Sequence, residues 1–200
     1  MKKLTLILLM LILLGITNVF AQQTFTLLKQ KSSVKVTGTS SLHDWEMVAS
    51  ELSGKIILKA KGQGIEGFED ADFSVKAKTL ISNSSIMDGK AHEALKAGKH
   101  PEIKFNMTSV DLKNSTQSSF NGTVNGNLSV AGKTKAISIP FDGKTMDSNT
   151  LMVAGIKSLK MSDFGIDPPR AMLGTLRTGD EIKVIFNFEF TSDPHALVNK

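Results

Sequence analysis

Cysteine and tyrosine are absent from this 200-residue chain, tryptophan occurs once, and arginine stands only at Arg170 and Arg177. Without cysteine there is no disulfide, no metal–thiolate site and no thiol nucleophile, so the fold must be held by its core and backbone ladders alone. With no tyrosine and one tryptophan, the chain cannot furnish the two aromatic girdles of a membrane-embedded barrel. The net charge of +5 includes Lys2 and Lys3, and the other basic residues are spread without a block or stripe. That pattern argues against a nucleic-acid partner. Repeats, low-complexity tracts and interdomain linkers are also missing.

The N-terminus reads as an export signal. Lys2 and Lys3 precede an apolar run from Leu4 to Ile16, and Val19-Phe20-Ala21 supplies small residues where a signal peptidase reads. The run falls short of the about 20 residues a membrane span needs. Removal of residues 1–21 would leave residues 22–200, with no membrane-spanning segment, as one domain. The expected location is the periplasm or the medium. A domain of that size buries roughly 70% of its unfolded surface and needs no covalent staples.

Beyond residue 24, apolar and polar residues alternate with period two. Examples are Phe25 and Leu27, Val34 and Val36, Phe73, Val75 and Ala77, and Ile103, Phe105 and Met107. Phe120, Gly122, Val124, Gly126, Leu128 and Val130 share one face, and Ile137, Ile139, Phe141, Leu151, Val153 and the series Ile182 to Phe190 follow. This gives roughly nine or ten strands separated by turn residues. One dry and one wet face marks antiparallel pairing, and closure into a barrel removes exposed edges.

One segment breaks the alternation. Met87, Ala91, Ala94 and Leu95 recur at helical spacing, which predicts one short helix over residues 86–97. Ser85 is the expected N-cap, Gly98 the left-handed terminator, and Pro101 prevents continuation.

Motifs with chemical meaning are few. Gly62-Gln63-Gly64-Ile65-Glu66-Gly67 matches the dinucleotide fingerprint in form, but a strand follows where a helix must open, so it reads as a turn. His43, His92, His100 and His195 lack metal-ligand spacing, so no metal or cofactor is expected. No nucleophile elbow is present. Asp163 and Asp167 flank a Gly-containing turn before Pro168-Pro169. The apolar face carries more information. Gly122, Gly126, Met107, Met152 and Ala77 stand among Phe and Val. Small residues and flexible methionine leave adaptable interior volume, although the glycines also suit the bends of a coiled sheet. A closed barrel of about eight strands is just wide enough to be filled by side chains or to hold one small ligand.

Four stretches together resemble the YceI-like family of exported bacterial proteins. They are Thr37-Gly38-Thr39-Ser40-Ser41-Leu42-His43-Asp44-Trp45; Ser85-Ile86-Met87-Asp88 with His92-Glu93-Ala94-Leu95-Lys96 and Pro101-Glu102-Ile103-Lys104-Phe105; Asn127 to Lys135; and Met161-Ser162-Asp163-Phe164-Gly165-Ile166. The helix departs from the commonest family form, reading Met87-Asp88-Gly89-Lys90-Ala91-His92 where that form carries arginines. The resemblance implies an all-β, lipocalin-like, extended eight-stranded antiparallel barrel. It also implies a non-catalytic carrier for a polyisoprenoid or fatty-acyl chain.

On this reading Phe73, Val75, Phe105, Met107, Phe186 and Phe188 line the ligand and Met87 and Leu95 form a helical lid, while Arg170 or Arg177 could meet a head group. A homodimer is compatible with the sequence. Gly126→Leu is expected to fill the interior without harming the fold. The rivals are a structural or stress-related module with a solid core and an enzyme on lipid intermediates using His43, Asp44 and Asp163.

Overall fold

The computed structural model describes residues 21–61, 64–171 and 174–197. The expected signal segment lies outside them except for Ala21. Twelve strands form: β1 (Ala21–Leu27), β2 (Ser33–Ser40), β3 (Trp45–Ala49), β4 (Leu52–Lys61), β5 (Gly64–Lys76), β6 (Leu80–Ile81), β7 (Glu102–Ser115), β8 (Ser119–Val130), β9 (Lys133–Asp147), β10 (Thr150–Lys160), β11 (Arg170–Ala171) and β12 (Leu176–Thr191). Neighbours pair antiparallel in the ring β1-β4-β5-β7-β8-β9-β10-β12, which closes where β12 returns to β1. Eight strands thus make a closed barrel. The count exceeds the nine or ten read from alternation because the first staves are broken into short pieces. A 3-10 turn at Lys29–Lys31 separates β1 from β2, and both lie along the 16-residue β12.

Among the described residues one α-helix forms, α1 (Ser85–Ala94), slightly shorter than expected. Its N-cap is Ser84, not Ser85: the Ser84 hydroxyl accepts from the Met87 amide. Asp88 instead reaches back to Ser82, accepting from its amide and hydroxyl at 2.7 Å each. These bonds pull the Asp88 carboxyl below its ordinary range. The left-handed terminator is Lys96 (φ 51°), not Gly98. The Ala97 amide donates to His92 O and the His92 ring contacts Leu80 O at 2.9 Å, so the helix is tied to β6.

The barrel's two ends are built differently. The hairpins β4–β5, β7–β8 and β9–β10 gather at one end, where Phe25, Phe120, Leu151 and Phe190 are all at most 2% exposed. Phe68, Phe120 and Phe141 meet edge to face with centroids 5.7–6.2 Å apart, the arrangement that aromatic quadrupoles favour. At the other end α1 and the segment 161–166 cover the opening. Ala131, Phe164 and Ile166 form a small second core there, with Leu95, Leu128 and Leu159 against it.

The family-like motifs are mostly architecture at that covered end. Ser40 Oγ accepts from the amides of Leu42 and His43, which shapes the β2–β3 turn. The Trp45 indole donates to Thr39 O at 3.0 Å. Asp180 accepts from the Ser162 amide and hydroxyl, which lowers its pKa. Asp163 pairs with Lys135 at 2.8 Å rather than with Asp167. Glu102 sits between Lys104 and Lys76 at 2.7 and 2.6 Å. Gly165 takes the left-handed conformation (φ 63°) that ends the 3-10 turn Met161–Phe164.

Candidate ligand cavity

Above the Phe68/Phe120/Phe141 plug lies a cavity of about 170 Å³. Its wall is made by the inward faces of β2, β4, β5, β7, β8, β9, β10 and β12, as period-two alternation requires. Phe73, Val75, Phe105, Met107, Phe186 and Phe188 all line it, together with Val34, Ile56, Phe68, Ala71, Val124, Leu128, Ile137, Ile139, Phe141, Val153, Leu159 and Val184. Met87 and Leu95 are not among its lining residues. They pack with Ala91 on the barrel core beneath the helix.

Three rings form a stacked spine along the wall. Phe73 and Phe188 lie 5.1 Å apart at 14°, and Phe188 and Phe186 lie 5.1 Å apart at 28°. Their inward positions are only partly buried, as are Val124, Ile139 and Val184. They border open space large enough for a small guest, unlike the tightly packed plug.

The inner-face glycines do not leave free volume, contrary to the sequence expectation. A Cβ on Gly54 would fall 2.6 Å from the Phe73 ring, on Gly143 2.1 Å from Phe120, and on Gly155 2.5 Å from Phe186. Each of these is a directly opposed cross-strand pair. Gly126 is covered by the Phe105 ring at 2.4 Å and by Asn106 O at the same distance. The rings fold over the glycines, so Gly126→Leu would collide with a ring and with backbone rather than fill a void. Met152 faces outward at 40% exposure, and Ala77 lies in a 3-10 turn at 0%; neither belongs to the cavity.

Sequence reasoning missed one residue. Lys157 lines the cavity through its methylene stem and is, among the described residues, the one charged side chain in the wall. Counting by twos from Leu151 and Val153 reaches it.

Other candidate polar groups lie elsewhere. Arg170 and Arg177 oppose each other on the β11–β12 ladder, both exposed, and neither lines the cavity. His43 and Asp44 are exposed in the β2–β3 turn, Asp163 is engaged by Lys135, and none of the three reaches the cavity wall. Among the described residues no group of three or more metal-ligating side chains gathers, and no helix is long and apolar enough to cross a membrane.

Comparison with known proteins follows the same architecture. The family profile described as YceI-like domain matches residues 21–190. No curated protein matches the sequence. Among solved structures, the chain is similar to a polyisoprenoid binding domain from Saccharophagus degradans implicated in plant cell wall breakdown. That likeness has a TM-score of 0.67 and 13% identity over 86% of this chain and 99% of the other. Burkholderia cenocepacia BcnA gives a TM-score of 0.65 and 15% identity over 82% and 98% of the two chains. The Campylobacter jejuni YCEI protein gives 0.54 and 18% over 70% and 81%. At these identities the likeness concerns the fold.

Proposed function

The chain belongs to the YceI-like domain family, and on that premise we propose that it is a non-catalytic carrier that holds a long apolar chain, polyisoprenoid or fatty-acyl, inside the barrel. The observation that carries this reading is the apolar-walled cavity above a sealed aromatic plug. Burying each methylene there contributes about 0.8 kcal/mol, so a tail is retained without any catalytic or metal chemistry. The polyisoprenoid binding of the Saccharophagus relative supports the choice of ligand class.

The size of the cavity defines how the tail must enter. An apolar cavity of about 150 Å³ accommodates a benzene-sized guest, so about 170 Å³ takes only a short stretch of chain as it stands. A longer tail requires the Phe73/Phe188/Phe186 stack to turn aside. These rings are partly buried and face open space, so they have room to do so.

Residues 1–21 act in this reading as the export signal, and residues 22–200 work as one domain in the periplasm. The solid-core alternative is disfavoured by the cavity itself.

The test is direct. Protein purified from an export-competent host is extracted with organic solvent, and the extract is analysed by mass spectrometry. A stoichiometric apolar lipid is expected. Val124→Phe, which places a ring into the cavity from β8, should lower recovery at least fivefold while the far-UV spectrum stays unchanged. Extracts without lipid, or full recovery from the filled variant, contradict the proposal.

A further inference from the structure

The cavity wall is apolar at every position but one. Lys157 shares the inward face of β10 with Val153, four positions before it, and Leu159, two positions after it. Opposite it on β12 stands Val184. A lysine at such a position costs more than valine or leucine would unless its ammonium reaches water or meets an anion.

The local structure gives it a way out. Pairing between β9 and β10 stops at Ala154↔Asp142. Next along β9 is Phe141, and then Pro140, whose carbonyl faces Gly155 of β10. Proline has no amide to donate on that side, so the ladder is not resumed. Lys157 therefore stands on a stretch of β10 without a β9 partner, and it is partly exposed. Its stem lines the cavity, and a lysine so placed carries its ammonium toward water rather than into the apolar bore.

No hydrogen bond or ion pair engages Lys157 among the described residues. Of the carboxylates at the covered end, Asp163 is paired with Lys135 and Asp180 accepts from Ser162.

We propose that Lys157 is a head-group anchor, so that the natural guest is an anionic amphiphile, an apolar tail ending in a carboxylate or a phosphate. This rests on the carrier reading and adds to it the polarity of the ligand's end. The tail lies against the wall below, and the terminal anion meets the ammonium at the rim. A charge-assisted hydrogen bond at a partly desolvated site is stronger than its neutral counterpart, and the head group would supply the acceptor that the protein withholds.

The experiment uses delipidated full-length mature protein, titrated calorimetrically with palmitate, hexadecyl phosphate and 1-hexadecanol, which share one tail. The wild type is expected to bind at least one of the two anions about tenfold tighter than the alcohol. Whichever binds tighter tells carboxylate from phosphate. In Lys157→Met the preference for the anion over the alcohol should disappear, both affinities being read in the same variant. Lys157→Arg should restore the preference.

Equal affinity for acids and alcohol in the wild type overturns the anchor, as does a preference that survives in Lys157→Met. In both cases the carrier reading stands. Failure of all three probes to bind overturns the carrier reading and the anchor together. A far-UV spectrum and melting temperature matching the wild type serve as the folding control for Lys157→Met.

Discussion

Phe190 and Phe186 lie four residues apart on the same face of β12, yet one is 0% exposed and the other only partly buried. The same contrast appears on β8 between Phe120 and Val124, and on β10 between Leu151 and Leu159. These three staves cross from a packed half to a hollow half while their period-two alternation continues. The difference comes from what meets at the centre. At the hairpin end Phe68, Phe120 and Phe141 interlock edge to face and shut the bore. At the covered end Val, Ile and Leu side chains reach less far inward, and the phenyl rings of Phe73, Phe186 and Phe188 lie along the wall instead of across it. Stability resides in the first half and capacity in the second.

Truncation should separate the halves most clearly. Phe190→Ala is expected to cost about 4 kcal/mol, because a fully enclosed ring is replaced by a cavity that cannot collapse. Val184→Ala, which enlarges space that already exists, should cost about 1 kcal/mol. Urea denaturation of the two variants checks the pair, and equal losses would erase the distinction.

Glycine substitutions sharpen it by one methyl group. Gly143→Ala drives into the Phe120 ring at 2.1 Å, and that ring is held by Phe68 and Phe141. A loss of about 2 kcal/mol is expected from overpacking. Gly54→Ala meets Phe73 at 2.6 Å, but this ring can swing into the cavity. Its cost should stay below about 1 kcal/mol on the same scale, with the penalty appearing as reduced lipid recovery.

Smaller effects concern the covered end. Lys96 holds a left-handed conformation at the end of α1 while exposed. Lys96→Gly should stabilise by about 1 kcal/mol, raising the melting temperature by roughly 3 °C without altering ligand recovery. The smallest is pH-dependent. Hydrogen bonds from Lys104 and Lys76 hold the Glu102 carboxyl at about 2, below its ordinary 4.5. The folded state therefore binds this proton less readily than the unfolded chain. The contribution is complete above about pH 4.5 and fades as pH falls toward 2. Urea midpoints of wild type and Glu102→Gln between pH 6 and 2 should converge at the acid end. A gap independent of pH would contradict this.

Alternation made the barrel legible. Phe25, Val34, Phe105, Phe120 and Val153 point inward as their two-residue spacing predicts. Six of the eight expected ligand-contact residues stand in the cavity wall for the same reason. What escaped depends on register, which spacing along one strand does not contain. Gly54 opposite Phe73 and Gly143 opposite Phe120 are facts about two strands at once. Met87 and Leu95 lie on the helix's inner side as their spacing predicts, but they pack on the barrel core and contribute nothing to the cavity wall. Lys157 went unnoticed because a charge in an alternating series reads as an outward residue. The parity of Leu151, Val153 and Leu159 places it inward.

The most direct measurement is a set of intermolecular nuclear Overhauser contacts between bound unlabelled hexadecanol and the methyl groups of isotopically labelled protein. Contacts are expected to Val124, Val153, Leu128 and Val184 in the hollow half and none to Leu58 or Leu151 in the plugged half. Contacts confined to outward methyls such as Ile156, or no contacts at saturating ligand, would contradict a guest held inside the barrel.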